Sequence, residues 1–126
     1  MHYHFSVVDD CLRAELAERE SVAETQAFLR AAAEEAQKLR LPRILILVKR
    51  SRPIFKVAQY RISEHLKQVA ANREVRVALV ADSDELRAAH EYIELLARQH
   101  GANVRAFREE REALAWLRAP QSQEKR

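Results

Sequence analysis

The chain has 126 residues, 48% hydrophobic and 33% charged, with a net charge of +3. Such a composition fits one packed domain that buries roughly two thirds of its unfolded surface. Its single glycine, Gly101, excludes the Walker loop, the dinucleotide fingerprint and the nucleophile elbow, because each needs glycine where backbone turns sharply or meets a ligand.

In chain order, Tyr3, Phe5 and Val7 alternate with polar neighbours over 3–8, and Leu12, Ala14 and Leu16 do so over 11–17. Both stretches read as strands, joined by Asp9-Asp10 into an antiparallel hairpin whose turn type stays open. Ser21-Val22-Ala23-Glu24 matches the capping box of a helix start. Val22, Leu29, Ala32, Ala33, Ala36 and Leu39 mark that helix's buried face, and Pro42 ends it. Residues 44–48 are continuously apolar, as in a strand covered on both faces. After the basic loop Lys49-Arg50-Ser51-Arg52-Pro53, a second helix carries an apolar stripe of Ile54, Ala58, Ile62, His65, Leu66 and Val69.

A second buried strand follows at 75–80. The next helix starts either with an Asp82…Glu85 box or with Ser83 as its cap, and Gly101 suits the left-handed residue after its end. A short strand at 104–107 and a helix at about 109–117 complete one domain over 1–119, with 120–126 a frayed polar tail. The fold class is therefore α/β, in the order ββαβαβαβα. A mostly parallel central sheet carries an N-terminal antiparallel hairpin, and right-handed crossovers put helices on both faces.

Three further readings bound the setting. The apolar runs fall far short of the ~20 residues that span a bilayer. The strand pattern starts at once, without a signal peptide. Lone Cys11 permits no internal disulfide. A cytoplasmic protein without membrane insertion is expected.

The sequence Val77-Ala78-Leu79-Val80, the helix over 84–100, Gly101 to Phe107 and then Ala113-Leu114-Ala115-Trp116-Leu117 resembles the C-terminal half of STAS-like domains (sulphate transporter and anti-sigma-factor antagonist). The SpoIIAA-like family of small bacterial proteins is the nearest in pattern. The order of elements extends the resemblance over nearly the whole chain. It implies a regulatory module, switched in anti-sigma antagonists by phosphorylation of a serine in the loop after the central strand. Ser51 is the counterpart by position, although Arg50 and Arg52 replace the family's Asp-Ser and Gly. Ser63 is the alternative.

No catalytic constellation stands out. His2 and His4 point the same way from one strand without a third ligand nearby, so no metal is expected. His65, His90 and His100 read as boundary residues, Cys11 as an inert thiol, and Trp116 as packing. Asp9-Asp10 and Asp82/Asp84 suit a turn and a helix start. Residues 41–76 hold nine basic and two acidic side chains, against net charges of −3 for 1–40 and −1 for 77–126. Within this span Ile54, Phe55, Val57 and Tyr60 interleave with cations, beyond the C-terminal end of a central strand, where open α/β sheets place ligands.

Two functions are expected. The first is a non-enzymatic interaction or regulatory module that binds a partner protein or a second copy through 49–61, using Lys49, Arg50, Ser51, Arg52, Phe55, Lys56 and Tyr60. The alternative is a carrier that holds an anionic or lipid-like molecule between the sheet and helix 54–70, in a topology similar to the CRAL-TRIO lipid-transfer domains. An enzyme, hydrolase-like or otherwise, would rest only on scattered His and Asp residues. No cofactor and no nucleic acid is expected, because the positive charge is local and no reading motif accompanies it.

Overall fold

In the computed structural model, which describes residues 1–51 and 56–119 and the backbone alone over 56–62, each hydrophobic pattern becomes an element of the expected type. In order these are β1 (His2–Val8), β2 (Cys11–Ala17), α1 (Val22–Leu39), β3 (Arg43–Lys49), α2 (Lys56–Ala70), β4 (Arg76–Ala81), α3 (Asp84–His100), β5 (Val104–Phe107) and α4 (Glu110–Arg118). The tail expected at 120–126 lies outside the described residues.

The hairpin is tight because Val8 pairs directly with Cys11. Its two linking residues, Asp9 and Asp10, both have positive φ, 51° and 62°. That is the type I′ turn, whose twist matches the strands it joins. Asp tolerates the left-handed region better than most side chains, at a cost that glycine avoids. Helix α1 ends in the same way: Arg40 adopts φ 57°, and the Leu41 N–H donates to the Ala36 carbonyl at 2.9 Å, closing a Schellman motif without glycine. At the start of α3 Ser83 is the cap, accepting from the Leu86 N–H at 3.2 Å. Asp82 instead accepts from the Arg50 N–H at 3.1 Å.

The strands lie in sequential order, β1 to β5, with β1 antiparallel and the rest parallel. Ile44 pairs with Val77 and Ile46 with Leu79, so the two apolar central strands are neighbours running the same way. Period-two alternation then sorts the side chains. Ala14, Leu16, Ile46, Val48, Leu79 and Ala81 face one layer, with Phe28 of α1, Leu66 of α2 and Leu86, Leu96 and Ala97 of α3. Cys11, Leu45, Leu47, Ala78 and Val80 face the other, with Ala113 and Leu117 of α4.

Helices therefore cover both faces, but the reason differs from the one expected. Crossovers of one hand between strands in sequential order all fall on the same side of the sheet, which gathers α1, α2 and α3 there. Helix α4 reaches the opposite face because it follows the last strand and crosses to nothing.

Arginines hold α4 down. The Arg13 guanidinium donates to both oxygens of Glu110, at 2.8 and 3.3 Å, at the helix start. At its end, fully buried Arg76 donates to the Trp116 and Ala119 carbonyls at 2.8 and 2.9 Å, and Arg43 donates to the Leu117 carbonyl. Cations at a helix C-terminus complete carbonyls that have no intrahelical partner and oppose the dipole. Two cations of the basic span 41–76 are thus spent inside the fold, and the surface reading of that span is corrected to this extent. Trp116 lies 5.7 Å from the Arg76 guanidinium and 5.5 Å from that of Arg105.

The hairpin geometry predicts that Asp10→Gly, which produces the favoured Asp-Gly pair, raises the unfolding free energy by roughly 1 kcal/mol. Urea titration monitored by circular dichroism checks this. An unchanged or lower midpoint would contradict the type I′ assignment.

A cleft beneath helix α2

Three helices compete for one face of a narrow sheet. The four parallel strands that these helices connect, β2 to β5, span roughly 15 Å at a spacing of about 4.8 Å, whereas three helices side by side at interaxial distances of about 10 Å need about 20 Å between their outer axes. Helix α1 packs on β2, and α3 on β4 and β5, whereas the described part of α2 makes its main contacts with α3 and α1. The middle helix rides above its neighbours. A cleft of about 520 Å³ lies between it and the strands.

The floor of the cleft is Leu16, Ile44, Ile46, Val48, Val77 and Leu79. Its walls are Phe28, Ala32 and Ala36 of α1, Leu66 and Val69 of α2, and Ala89 and Ile93 of α3. The alanines are part of the cause, since a methyl group fills little of the space a leucine would take. Polar residues sit at the two ends, and α2 adds His65 and Gln68 to the lining. Toward the C-terminal ends of the strands the lining includes Arg19, Thr25 and His90; toward the opposite mouth it includes Gln37, Arg40, Asn72 and Glu74.

Arg19 and His90 are buried, only 8% and 4% exposed. The His90 Nδ1 has no hydrogen-bond partner among the described residues. Burial, reinforced by the nearby Arg19 guanidinium, pushes the His90 imidazole down to about 4, so it is neutral at pH 7. Burial likewise lowers the Arg19 guanidinium, with Glu24 acting against it. His65 also lines the cleft, and burial, with Arg30 adding to it, lowers its imidazole. His90 is therefore not the boundary residue expected: it stands inside, on the same stripe as Leu86 and Ile93.

A second, open pocket lies at the strand ends, lined by Glu18, Glu20, Arg50, Ser51, Asp82, Ser83 and Glu85, with Arg19 shared between it and the cleft. Here the Ser51 hydroxyl accepts from the Arg19 N–H at 3.0 Å and donates to the Lys49 carbonyl at 2.9 Å. It stitches the ends of β2 and β3 together. A phosphoryl group on that oxygen would displace both bonds and stand among four carboxylates, Glu18, Glu20, Asp82 and Glu85, as well as Arg19 and Arg50. Lys49 points to the α4 side of the sheet, its Nζ 3.7 Å from Glu15. Arg50 takes a left-handed φ of 45° to make the turn out of β3.

Of the expected binding residues, Lys49, Arg50 and Ser51 thus belong to strand-end contacts. Arg52 and Phe55 lie outside the described residues, as do the side chains of Lys56 and Tyr60, whose backbone is in α2. Elsewhere, Cys11 is buried, and burial raises its thiol above the ordinary value. His2 lies 3.3 Å from Glu18. Among the described residues no helix is long and apolar enough to cross a membrane.

Comparison of the chain with models of protein families, with curated proteins and with solved structures finds no match.

The His90 environment sets a pH dependence. Its imidazole binds a proton near pH 4 when folded and near 6.5 when unfolded. Between those values the unfolded chain holds the extra proton, so stability falls as pH falls through that window. The loss attributable to His90 between pH 7 and 5 is about 2 kcal/mol. Urea unfolding at the two pH values should show it, and His90→Gln should remove most of the difference. An equally steep dependence in the variant would place the burden elsewhere.

Proposed function

We propose that the protein is a non-catalytic binder of a small amphipathic molecule, a STAS-like domain whose cleft beneath α2 takes the molecule's apolar body. The single observation behind this reading is the cleft itself: about 520 Å³ and lined mostly by apolar side chains, within the range of small-molecule sites. It runs where the sequence placed the carrier alternative, between the sheet and the second helix. The engaged hydroxyl of Ser51 favours this use over a phosphorylation switch. The rival reading, docking through 49–61, falls mostly on side chains outside the described residues.

Energetics agree with reversible binding. Covering about ten methylenes returns ~0.8 kcal/mol each, and the loss of translational and conformational freedom offsets much of that sum. The gross sum corresponds to about 1 μM, so the net affinity for an alkyl chain of that length is weaker than that.

Dodecanol, an uncharged probe, should bind one-to-one, reversibly, by native mass spectrometry and by calorimetry. The double variant Ala32→Leu/Ala36→Leu should fill the cleft and abolish binding with little loss of stability, because both alanines line the cleft although they are only 3% and 8% exposed. In a closed core the same substitutions cost about 1–3 kcal/mol apiece. Destabilisation of that size, or wild-type protein that takes up no dodecanol, would refute the reading.

A further inference from the structure

The two edges of the sheet are finished in opposite ways. At β5 the free edge is short and partly closed: the strand has four residues, and the Glu94 carboxylate of α3 accepts from the Ala106 N–H at 2.7 Å. At the other edge β1 runs for seven residues without proline, glycine, lysine or an acidic side chain. Lysine, proline, bulges and covering elements are the usual means by which an edge is kept from pairing. Among the described residues no further strand or loop pairs with β1.

The hairpin fixes which backbone groups of β1 are left over. In its type I′ turn the flanking pair, Val8 and Cys11, is the hydrogen-bonded kind, and such pairs alternate along antiparallel strands. His2, His4, Ser6 and Val8 therefore direct their N–H and carbonyl groups to β2, in register with Ala17, Glu15, Arg13 and Cys11. Those of Tyr3, Phe5 and Val7 point outward. The same three side chains lie on the α1 face, where the Tyr3 and Phe5 rings meet Phe28. Tyr3 and Val7 are nevertheless 46% and 54% exposed, so unpaired backbone and uncovered apolar surface coincide.

We propose that β1 pairs antiparallel with β1 of a second copy of the chain, in a two-fold register centred on Phe5, so that the two sheets join edge to edge. Tyr3 then lies opposite Val7 across the axis, and Phe5 opposite Phe5. Each outward N–H meets an outward carbonyl, and aromatic and β-branched side chains form the cross-strand pairs. Charge is compatible, since antiparallel pairing lays the acidic Asp9-Asp10 turn of each copy at the histidine end of the other. The helices leave room as well. Helix α1 packs on β2, and the two β2 strands stand three strand spacings apart, about 14 Å, beyond the roughly 8–10 Å at which helices touch. An extended peptide of unrelated sequence would satisfy the backbone but not this two-fold match of side chains. No residue of β1 lines the cleft, so the inference is independent of the ligand reading.

Strand pairing of this length makes a small interface, so association is weak and reversible. Sedimentation velocity of the full chain should show monomer at roughly 10 μM and a growing dimer fraction toward roughly 500 μM. Over that range amide hydrogen exchange, read by NMR, should slow at Tyr3, Phe5 and Val7 and stay constant at His4 and Ser6, which are bonded within the hairpin at every concentration. Two double variants test the register. Tyr3→Lys/Val7→Lys sets like charges opposite each other and should abolish the dimer, whereas Tyr3→Glu/Val7→Lys sets opposite charges in the same places and should restore it. Positions 3 and 7 of one chain are about 13 Å apart, so the contrast between the variants arises between copies. Both variants lose the Tyr3–Phe28 contact alike, and circular dichroism checks that both fold; if either does not, wild-type exchange decides alone. Monomer at the highest concentration, a dimer whose Tyr3, Phe5 and Val7 amides exchange freely, or equal association of the two folded variants would overturn the proposal.

Discussion

The width of the sheet is the constraint on which the rest depends. Strands in sequential order, joined by crossovers of one hand, send every connecting helix to the same face. That face accommodates two helices side by side. Because α2 joins β3 to β4 at the middle of the sheet, it is the helix flanked on both sides, and its described part makes its main contacts with α1 and α3. The cleft is a consequence of topology before it is a consequence of any particular residue. The alanines at 32 and 36 then keep it wide, where leucines would have closed it.

The other face obeys the opposite rule. One helix, α4, has the surface to itself, and it is fixed at both ends by charge: Arg13 to Glu110 at its start, Arg43 and Arg76 to its last carbonyls. Arg76 is fully buried, yet its Nη1 donates to two helix-end carbonyls and it neighbours the Trp116 ring, contacts that offset part of the cost of its desolvation.

Much of this architecture is legible in the sequence because it depends on local pattern. Alternation over 3–7 and 12–16, unbroken apolar runs at 44–48 and 77–81, and the serine caps before α1 and α3 each specify an element from its own residues. Even the closing strand of four residues is marked by its neighbours, Gly101 before it and the charged run after it. What escapes is set by long-range geometry. Arg19 lies in Ala17-Glu18-Arg19-Glu20, where nothing local distinguishes a buried arginine from a solvated one. His90 occupies the stripe of Leu86 and Ile93, a position that signalled burial, but its unpartnered nitrogen depends on α2 standing away. The net charge of 41–76 suggested a continuous basic surface, and only the paired register of Arg43 with Arg76 shows that two of those cations turn inward under α4. The Ala32-Ala33…Ala36 series was the one available hint of the cleft, since small residues on a buried face leave room.

The central claim is that an alkyl chain lies between the strands and α2. Intermolecular nuclear Overhauser effects from protonated dodecanol to methyl-labelled protein test it most directly. The account predicts contacts from one bound chain to Ile46 and Leu79 on the sheet and to Leu66 on α2 together. Contacts confined to the exposed side chains Val7, Leu39 and Leu95 would contradict it, as that would place the chain on the surface.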